Sequence, residues 1–351
     1  HFTGRALFGA GEAQETRVES RDQQVFVAKY ASDGAVVWVR QARGATRDGT
    51  NVGVGIGVDA GGAAYVTGTF QGTAQFHTGR PDVVPALSSA LPEIFVAKYN
   101  TNGEAAWARQ ARGLSVDYAE SIAVSGAGES VVIGRFRGLV TFGSGRRQVT
   151  LTAFGGEEGF ALKLGPDGRV VWATQAEDGE RSLRFHDVAL GEEGTTLVVG
   201  TSAPEPGAPV TGFARKLDAD GEALWSHHFD ARPAAVAVAS TGGVIFTGSF
   251  EDKVAFDEGG ESAVTLTAAE DRDAFYAAYR ADGSFAWAYV LATGPGDQAG
   301  GGIAIDASDH RYLVGGFDET ARFFPGDRRS TTRTSAGEGD LFVGRVTRFA
   351  E

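Results

Sequence analysis

Acidic and histidine side chains recur in the polar stretches between the repeated apolar runs of this 351-residue chain. Carboxylate oxygens and imidazole nitrogens bind divalent metals, and carboxylates also accept hydrogen bonds from sugar hydroxyls. If a divalent metal or a sugar binds, we expect the site where these side chains gather, on loops at one face of the fold. Solvated turn aspartates are the structural alternative. The candidates are Asp48, Asp117, Asp178, His186, Asp187 and Asp297.

Tryptophans could form a second kind of site, an aromatic set that stacks on sugar rings. Each of the five follows an apolar pair, as Trp38 follows Val36 and Val37, in a segment with the pattern of a strand. Alternation along that strand would pack one large side chain between neighbouring sheets. We therefore interpret the tryptophans as core residues and keep carbohydrate binding as the alternative. They are Trp38, Trp107, Trp172, Trp225 and Trp287.

Lysine also recurs at one repeat position. In the segment Phe26-Val-Ala-Lys-Tyr, alternation puts Lys29 on the strand face opposite Phe26. A ring of such lysines could bind an anion, but we predict that each one pairs with a carboxylate or covers apolar surface with its methylene groups. The four are Lys29, Lys98, Lys163 and Lys216.

Motifs for enzymatic chemistry are absent from the sequence. It contains no Gly-x-Ser-x-Gly, no phosphate loop ending in Gly-Lys-Ser/Thr and no His-Glu-x-x-His. Cysteine is absent too, which excludes disulfides, thiolate metal sites and a cysteine nucleophile. We predict a protein without a catalytic site or cofactor. A divalent metal such as calcium, and a hydrolase or lyase site built from loops, are the alternatives.

The charge of the chain restricts its partners. A net charge of −13 argues against nucleic-acid binding, because neutralising phosphates requires a concentrated basic surface. No run of about 18 apolar residues occurs, so no transmembrane segment is predicted. We expect a protein or polysaccharide partner at one face of the fold, and a place in a larger assembly is an open alternative.

A repeated unit positions all of these residues. Consecutive tryptophans are 69, 65, 53 and 62 residues apart, a length that suits a four-stranded β-propeller blade with one added hairpin. Within a unit, two apolar runs such as Gly55–Asp59 and Ala64–Gly68 predict a first hairpin. The segment from Phe26 to Trp38, with an Asp-Gly turn in its middle, predicts a second one. We name the four strands A, B, C and D in that order.

The chain is therefore predicted to be all-β: a β-propeller of four-stranded blades, with a short extra hairpin between strands B and C. Six blades is the simplest count, within a range of five to seven. We expect a single domain over residues 1–351, with an incomplete last blade at 301–351. No segment has the periodicity of an amphipathic helix. The C–D hairpins are predicted near residues 24–42, 94–111, 158–176, 212–229 and 273–291.

The motifs Gly55–Asp59, Ala64–Gly68 and Phe26–Gly34 with Trp38 resemble the bacterial β-propeller repeat of large secreted and surface proteins. The likeness extends over nearly the whole chain. It implies a propeller exported from a bacterium, in an extracellular, periplasmic or cell-surface location. Since His1-Phe-Thr-Gly-Arg already lies inside a repeat, we also expect the chain to be a fragment or processed part of a longer one. Because that family shares no catalytic set, we expect a non-enzymatic protein-interaction or scaffold module. A lectin-like propeller is the alternative.

Overall fold

Antiparallel β-strands make up nearly all of the regular structure. The computed structural model describes residues 1–44, 51–76, 84, 86–175, 183–203 and 210–346, with the backbone alone at 154 and 155. The helices in these ranges are two three-residue 3-10 turns, Gly145–Arg147 and Glu192–Gly194. No helix in the described ranges is long and apolar enough to cross a membrane. The chain divides into two compact units, residues 1–177 and 178–351.

The first unit contains three blade-type sheets, which we number blades 1 to 3 along the chain. Blade 1 is formed by β1 (Phe2–Phe8), β2 (Thr16–Gln24), β3 (Phe26–Tyr30) and β4 (Val36–Gln41). Blade 2 is formed by β5 (Arg43–Gly44), β6 (Asn51–Val58), β7 (Ala64–Gln75), β8 (Leu87–Tyr99) and β9 (Ala105–Gln110). Blade 3 is formed by β10 (Arg112–Gly113), β11 (Tyr118–Val124), β12 (Ser130–Phe142), β13 (Val149–Leu164) and β14 (Val170–Gln175).

The second unit contains three more sheets, blades 4 to 6. Blade 4 is formed by β15 (Leu183–Leu190), β16 (Thr196–Ser202), β17 (Thr211–Leu217) and β18 (Ala223–Phe229). Blade 5 is formed by β19 (Arg232–Val238), β20 (Val244–Phe256), β21 (Val264–Tyr279) and β22 (Phe285–Thr293). Blade 6 is formed by β23 (Gln298–Ile305), β24 (Arg311–Phe317), β25 (Thr320–Phe323), β26 (Thr331–Thr334) and β27 (Asp340–Val346).

Blades 2 to 5 each carry a complete A–B–C–D meander in which neighbouring strands are antiparallel. The predicted all-β fold of four-stranded blades is therefore confirmed. Two blades are incomplete in the described ranges: blade 1 has strands at positions B, C and D, and blade 6 has strands at A, B and C. The number of blades in a closed ring stays a prediction.

The extra hairpin between strands B and C is also confirmed, and it links consecutive blades. In blade 3, β12 and β13 pair along two stretches that a register shift between Arg137 and Leu139 separates. The outer stretch is the added hairpin. Strand β10, which follows the D strand of blade 2, pairs with this hairpin of blade 3 through Arg112 opposite Thr141. Strand β5 pairs in the same way with β7, and β22 with β25.

Phenylalanines fill the interior of each blade. Phe95 on strand C of blade 2 is fully buried, and its ring centroid lies 4.8 Å from that of Phe76, at the end of the extra hairpin. Gly68 lies beside it on strand B. A Cβ atom at Gly68 would lie 1.9 Å from the carbonyl oxygen of Val52 and 2.8 Å from the Phe95 ring. This close packing explains the glycine that ends the recurring Val-Thr-Gly run.

Candidate functional site

The predicted site residues lie in different structural settings. Asp48 and Asp178 are outside the described residues. Asp117 directly precedes β11, and Asp297 directly precedes β23. His186 and Asp187 lie inside β15, the A strand of blade 4, and not in the loop before it.

Asp117 is completely buried and shares its environment with Glu93, on strand C of blade 2. The amide of Arg137 donates to Asp117 Oδ1 at 3.4 Å, and the amide of Gly113 donates to Glu93 Oε1 at 3.3 Å. Burial raises the pKa of Asp117 to about 7, the Arg137 amide opposes this rise, and the neighbouring Glu93 carboxyl adds to it. Burial also raises the pKa of Glu93. Near neutral pH the Asp117 carboxyl is therefore partly protonated.

Both carboxyls have one oxygen without a hydrogen bond to any described residue, Glu93 Oε2 and Asp117 Oδ2. Gly113 packs against the Asp117 carboxyl, since a Cβ atom at Gly113 would lie 2.0 Å from Asp117 Oδ2. Sequence reasoning missed Glu93, and the available signal was its position two residues before the recurring phenylalanine.

Blades 1 and 2 are joined by an amide pair at the corresponding positions. Gln24 stands two residues before Phe26, and its Oε1 accepts hydrogen bonds from the Gly44 amide at 2.9 Å and from Asn51 Nδ2 at 3.0 Å. Gln24 and Asn51 are both buried. Polar residues thus recur where strand C of one blade meets the start of strand A of the next blade. Gln24 and Asn51 occupy these positions between blades 1 and 2, and the acids Glu93 and Asp117 occupy them between blades 2 and 3.

The other predicted residues form separate contacts in the second unit. His186 Nε2 lies 2.9 Å from Thr201 Oγ1, and burial lowers the pKa of the imidazole, with Arg184 and Arg232 acting in the same direction. Asp187 Oδ2 accepts a hydrogen bond from the Val236 amide at 3.0 Å. Asp297 Oδ2 lies 3.8 Å from Arg272 Nη2. Within the described ranges, no three His, Asp or Glu side chains are arranged to hold a metal ion.

Three of the five tryptophans, Trp38, Trp107 and Trp172, are buried as predicted for core residues, whereas Trp225 and Trp287 are partly buried. Trp38 and Trp107 are each 8% exposed. The indole Nε1 of Trp38 donates to the carbonyl of Thr101 in the C–D turn of blade 2 at 3.0 Å. Two residues further along strand D, Arg40 Nε donates to the carbonyl of Gly103 in the same turn at 2.7 Å.

The same two hydrogen bonds, from strand D to the C–D turn of the next blade, recur in two more blades. Trp107 Nε1 donates to the Pro166 carbonyl at 3.0 Å, and Arg109 Nε donates to the Gly168 carbonyl at 3.0 Å. In blade 4, Trp225 Nε1 donates to the Ala281 carbonyl at 3.4 Å, and a histidine replaces the arginine. Each of these three indole N–H groups is therefore bound to a backbone carbonyl of the next blade.

The recurring lysines pair as predicted in two blades. Lys98 Nζ lies 3.5 Å from Asp59 Oδ2, and Lys163 Nζ lies 3.3 Å from Glu129 Oε2. Lys216 instead donates to the carbonyl of Ala281 at 3.0 Å. The side chains of these three lysines therefore make contacts within the fold.

Strand β27 carries the two most exposed large apolar side chains on any described strand, Leu341 and Val343. Leu341 and Val343 flank Phe342 on this strand, and their side chains are 88% and 78% exposed. Ile94 and Val96 flank Phe95 in the same way on strand β8, and they are only 1% and 2% exposed. Strand β27 pairs on one edge with β24, and no described strand pairs with its other edge. The C strands β8, β13, β17 and β21 each pair along both edges.

Comparisons with known proteins give no family. No protein-family model and no curated protein matches the chain. Among solved structures, a gluconolactonase from Xanthomonas campestris is 15% identical with a TM-score of 0.38, covering 89% of this chain and 82% of that one. A GH43 endo-arabinanase from Bacillus licheniformis is 11% identical with a TM-score of 0.32, covering 83% and 92%. A Synechocystis apocarotenoid oxygenase is 6% identical with a TM-score of 0.42, covering 86% and 70%. At this level of similarity, none of these activities is transferred to the chain.

Proposed function

We propose that this protein is a non-enzymatic interaction module of the β-propeller type, which docks a partner protein at the free edge of β27. The observation that carries the proposal is the exposure of Leu341 and Val343, at positions that are buried in blades 1 to 5. An unpaired strand edge offers a row of backbone donors and acceptors to an incoming strand, and alternate apolar side chains add affinity. The partner would therefore supply an extended β segment.

The use of the repeat residues supports a binding role without catalysis. Trp107 and Arg109 donate hydrogen bonds to the next blade, and Lys98 pairs with Asp59. The buried acids Glu93 and Asp117 occupy positions that an amide pair fills elsewhere. These recurring side chains thus have structural roles among the described residues. On the resemblance to secreted bacterial repeats, we further propose that the protein is exported and works outside the cytoplasm or at the cell surface.

A strand taken from the chain itself provides the probe. A fluorescent peptide with the sequence of residues 103–112 carries the D strand of blade 2, which pairs with β8 through Trp107 opposite Lys98. In the same register its tryptophan would face Arg345 of β27. We expect saturable binding of this peptide to the intact protein, measured by fluorescence anisotropy. A peptide of equal charge with proline at 106 and 108 should not bind, because proline cannot complete a strand ladder.

Matched variants locate the binding. Replacing Leu341 and Val343 by lysine should weaken binding by about tenfold or more, since edge lysines oppose strand addition. The control variant carries lysine at Ile56 and Val58, which are 58% and 57% exposed on β6. It should bind as the unmodified protein does. No binding of the 103–112 peptide, or equal weakening in both variants, would refute docking at β27.

A further inference from the structure

A cavity of about 720 Å³ lies at the junction of blades 2 and 3 in the first unit. Its floor is apolar and includes Leu87, Ile94, Leu162 and Val170, all of them buried. The volume falls in the range of sites that bind small organic molecules. The cavity belongs to the first unit, whereas β27 belongs to the second, so it is independent of the docking edge proposed above.

The extra hairpin of blade 3 builds one wall of this cavity. Pairing of Arg112 and Gly113 with the outer part of β12 brings the hairpin next to the end of strand D of blade 2. The turn of that hairpin is the 3-10 helix Gly145–Arg147, which carries two consecutive arginines, Arg146 and Arg147. The cavity therefore takes its charged groups from two blades, at a place that the strand pairing fixes.

Five arginines and no acidic residue are among the residues that line the cavity. This composition contrasts with the net charge of −13 of the whole chain. The five are Arg109, Arg112, Arg146, Arg147 and Arg169.

Two of these arginines are held in place and two are available. Arg109 donates from Nε to the Gly168 carbonyl and from Nη2 to the Asp167 carbonyl, both at 3.0 Å. Arg169 Nε lies 3.3 Å from Asp167 Oδ2. Arg146 and Arg147 are exposed, and neither side chain has a hydrogen bond or ion pair with any residue that the structure describes. Their donors are therefore free to bind an added group.

From this geometry we propose that the cavity binds an anionic amphiphile, a molecule with an apolar body and one carboxylate, sulfate or phosphate group. The apolar body would lie on the floor formed by Ile94 and Leu162, and the anionic group would lie at the rim beside Arg146 and Arg147. Guanidinium groups bind such oxyanions through paired N–H donors, and the apolar floor would gain from the removal of its surface from water.

Decanoate is a suitable probe, because it combines ten carbons with one carboxylate. Isothermal titration calorimetry with the intact protein should show saturable decanoate binding, and the affinity should fall as salt is added. Decanol tests the apolar contribution alone, and inorganic sulfate tests the anionic contribution alone. Both should bind at least about tenfold more weakly than decanoate. Replacing decanoate by decyl phosphate or decyl sulfate distinguishes which oxyanion is preferred.

Variants at the rim decide whether the arginines take part. We expect R146A/R147A to weaken decanoate binding about tenfold or more. The control R328A/R329A removes two consecutive exposed arginines from the second unit and should leave binding unchanged. If R146A/R147A lowers the melting temperature, R146Q/R147Q provides the same test with most of the side chain retained. The proposal is overturned if decanoate does not bind, or if it binds the rim variant and the unmodified protein equally well.

Discussion

The indole Nε1 of Trp107 donates a hydrogen bond of 3.0 Å to the carbonyl of Pro166, in the C–D turn of the following blade. The tryptophan therefore belongs to two blades, because its backbone is on strand D of one and its side chain is bound to the next. Trp38 and Thr101 are related in the same way one blade earlier. This contact accounts for tryptophan at three of the five repeat positions, those of Trp38, Trp107 and Trp225.

We expect Trp107→Phe to lower the free energy of unfolding by about 1 to 3 kcal/mol, because it removes the donor to Pro166 and part of the packed ring. Trp287→Phe is the matched control, since the Trp287 indole N–H has no hydrogen bond to a described residue. Urea denaturation followed by circular dichroism measures both variants. Equal losses in the two variants would show that the hydrogen bond contributes nothing.

The buried acids predict a pH dependence of stability. The pKa of Asp117 is about 7 in the folded protein, above its unfolded value, so the folded state binds the extra proton. Its contribution to stability is present below the unfolded pKa and is lost as pH rises through about 7. We expect a loss of about 2 to 4 kcal/mol between pH 4 and pH 7 from this source.

An amide pair tests that prediction. The double variant Glu93→Gln/Asp117→Asn reproduces the pair formed by Gln24 and Asn51, which cannot ionise. Urea denaturation at pH 5, 7 and 9 should show a smaller fall in stability with rising pH for the double variant than for the unmodified protein. The same fall in both proteins would mean that burial does not raise the pKa of Asp117 as described.

Gly113 should not tolerate a side chain. A Cβ atom there would lie 2.0 Å from Oδ2 of the buried Asp117 side chain, so we expect Gly113→Ala to cost about 2 kcal/mol or more. Gly337→Ala is the control, because no heavy atom lies within 4 Å of its Cβ position. It should change stability by less than about 0.5 kcal/mol. Thermal denaturation compares them, and equal melting temperatures would contradict the packing around Asp117.

The repeat made the strand content predictable from the sequence. Period-2 alternation placed Lys29 opposite Phe26 and predicted a packed tryptophan, because both depend on one strand alone. The hydrogen-bond partner of each tryptophan could not be predicted from the sequence, because Trp107 contacts Pro166 only when two blades pack side by side. Contacts of this kind depend on three-dimensional packing and leave no pattern within a single segment.

The candidate sites were harder to predict for the same reason. Aspartate in a polar stretch is typical of a solvated turn, yet Asp117 is buried because strand C of the preceding blade brings Glu93 beside it. The arginine-lined cavity joins Arg112 to Arg146 through strand pairing between two blades. Neither arrangement follows from residue spacing.

Amide hydrogen exchange of β27 tests the proposed docking edge most directly. Strand β17 is paired along both edges and serves as the internal reference. In the free protein we predict that about half of the β27 amides, those on the unpaired edge, exchange without protection, and that they become protected when the 103–112 peptide is added. Full protection of β27 in the free protein, or no change on addition of the peptide, would contradict the account.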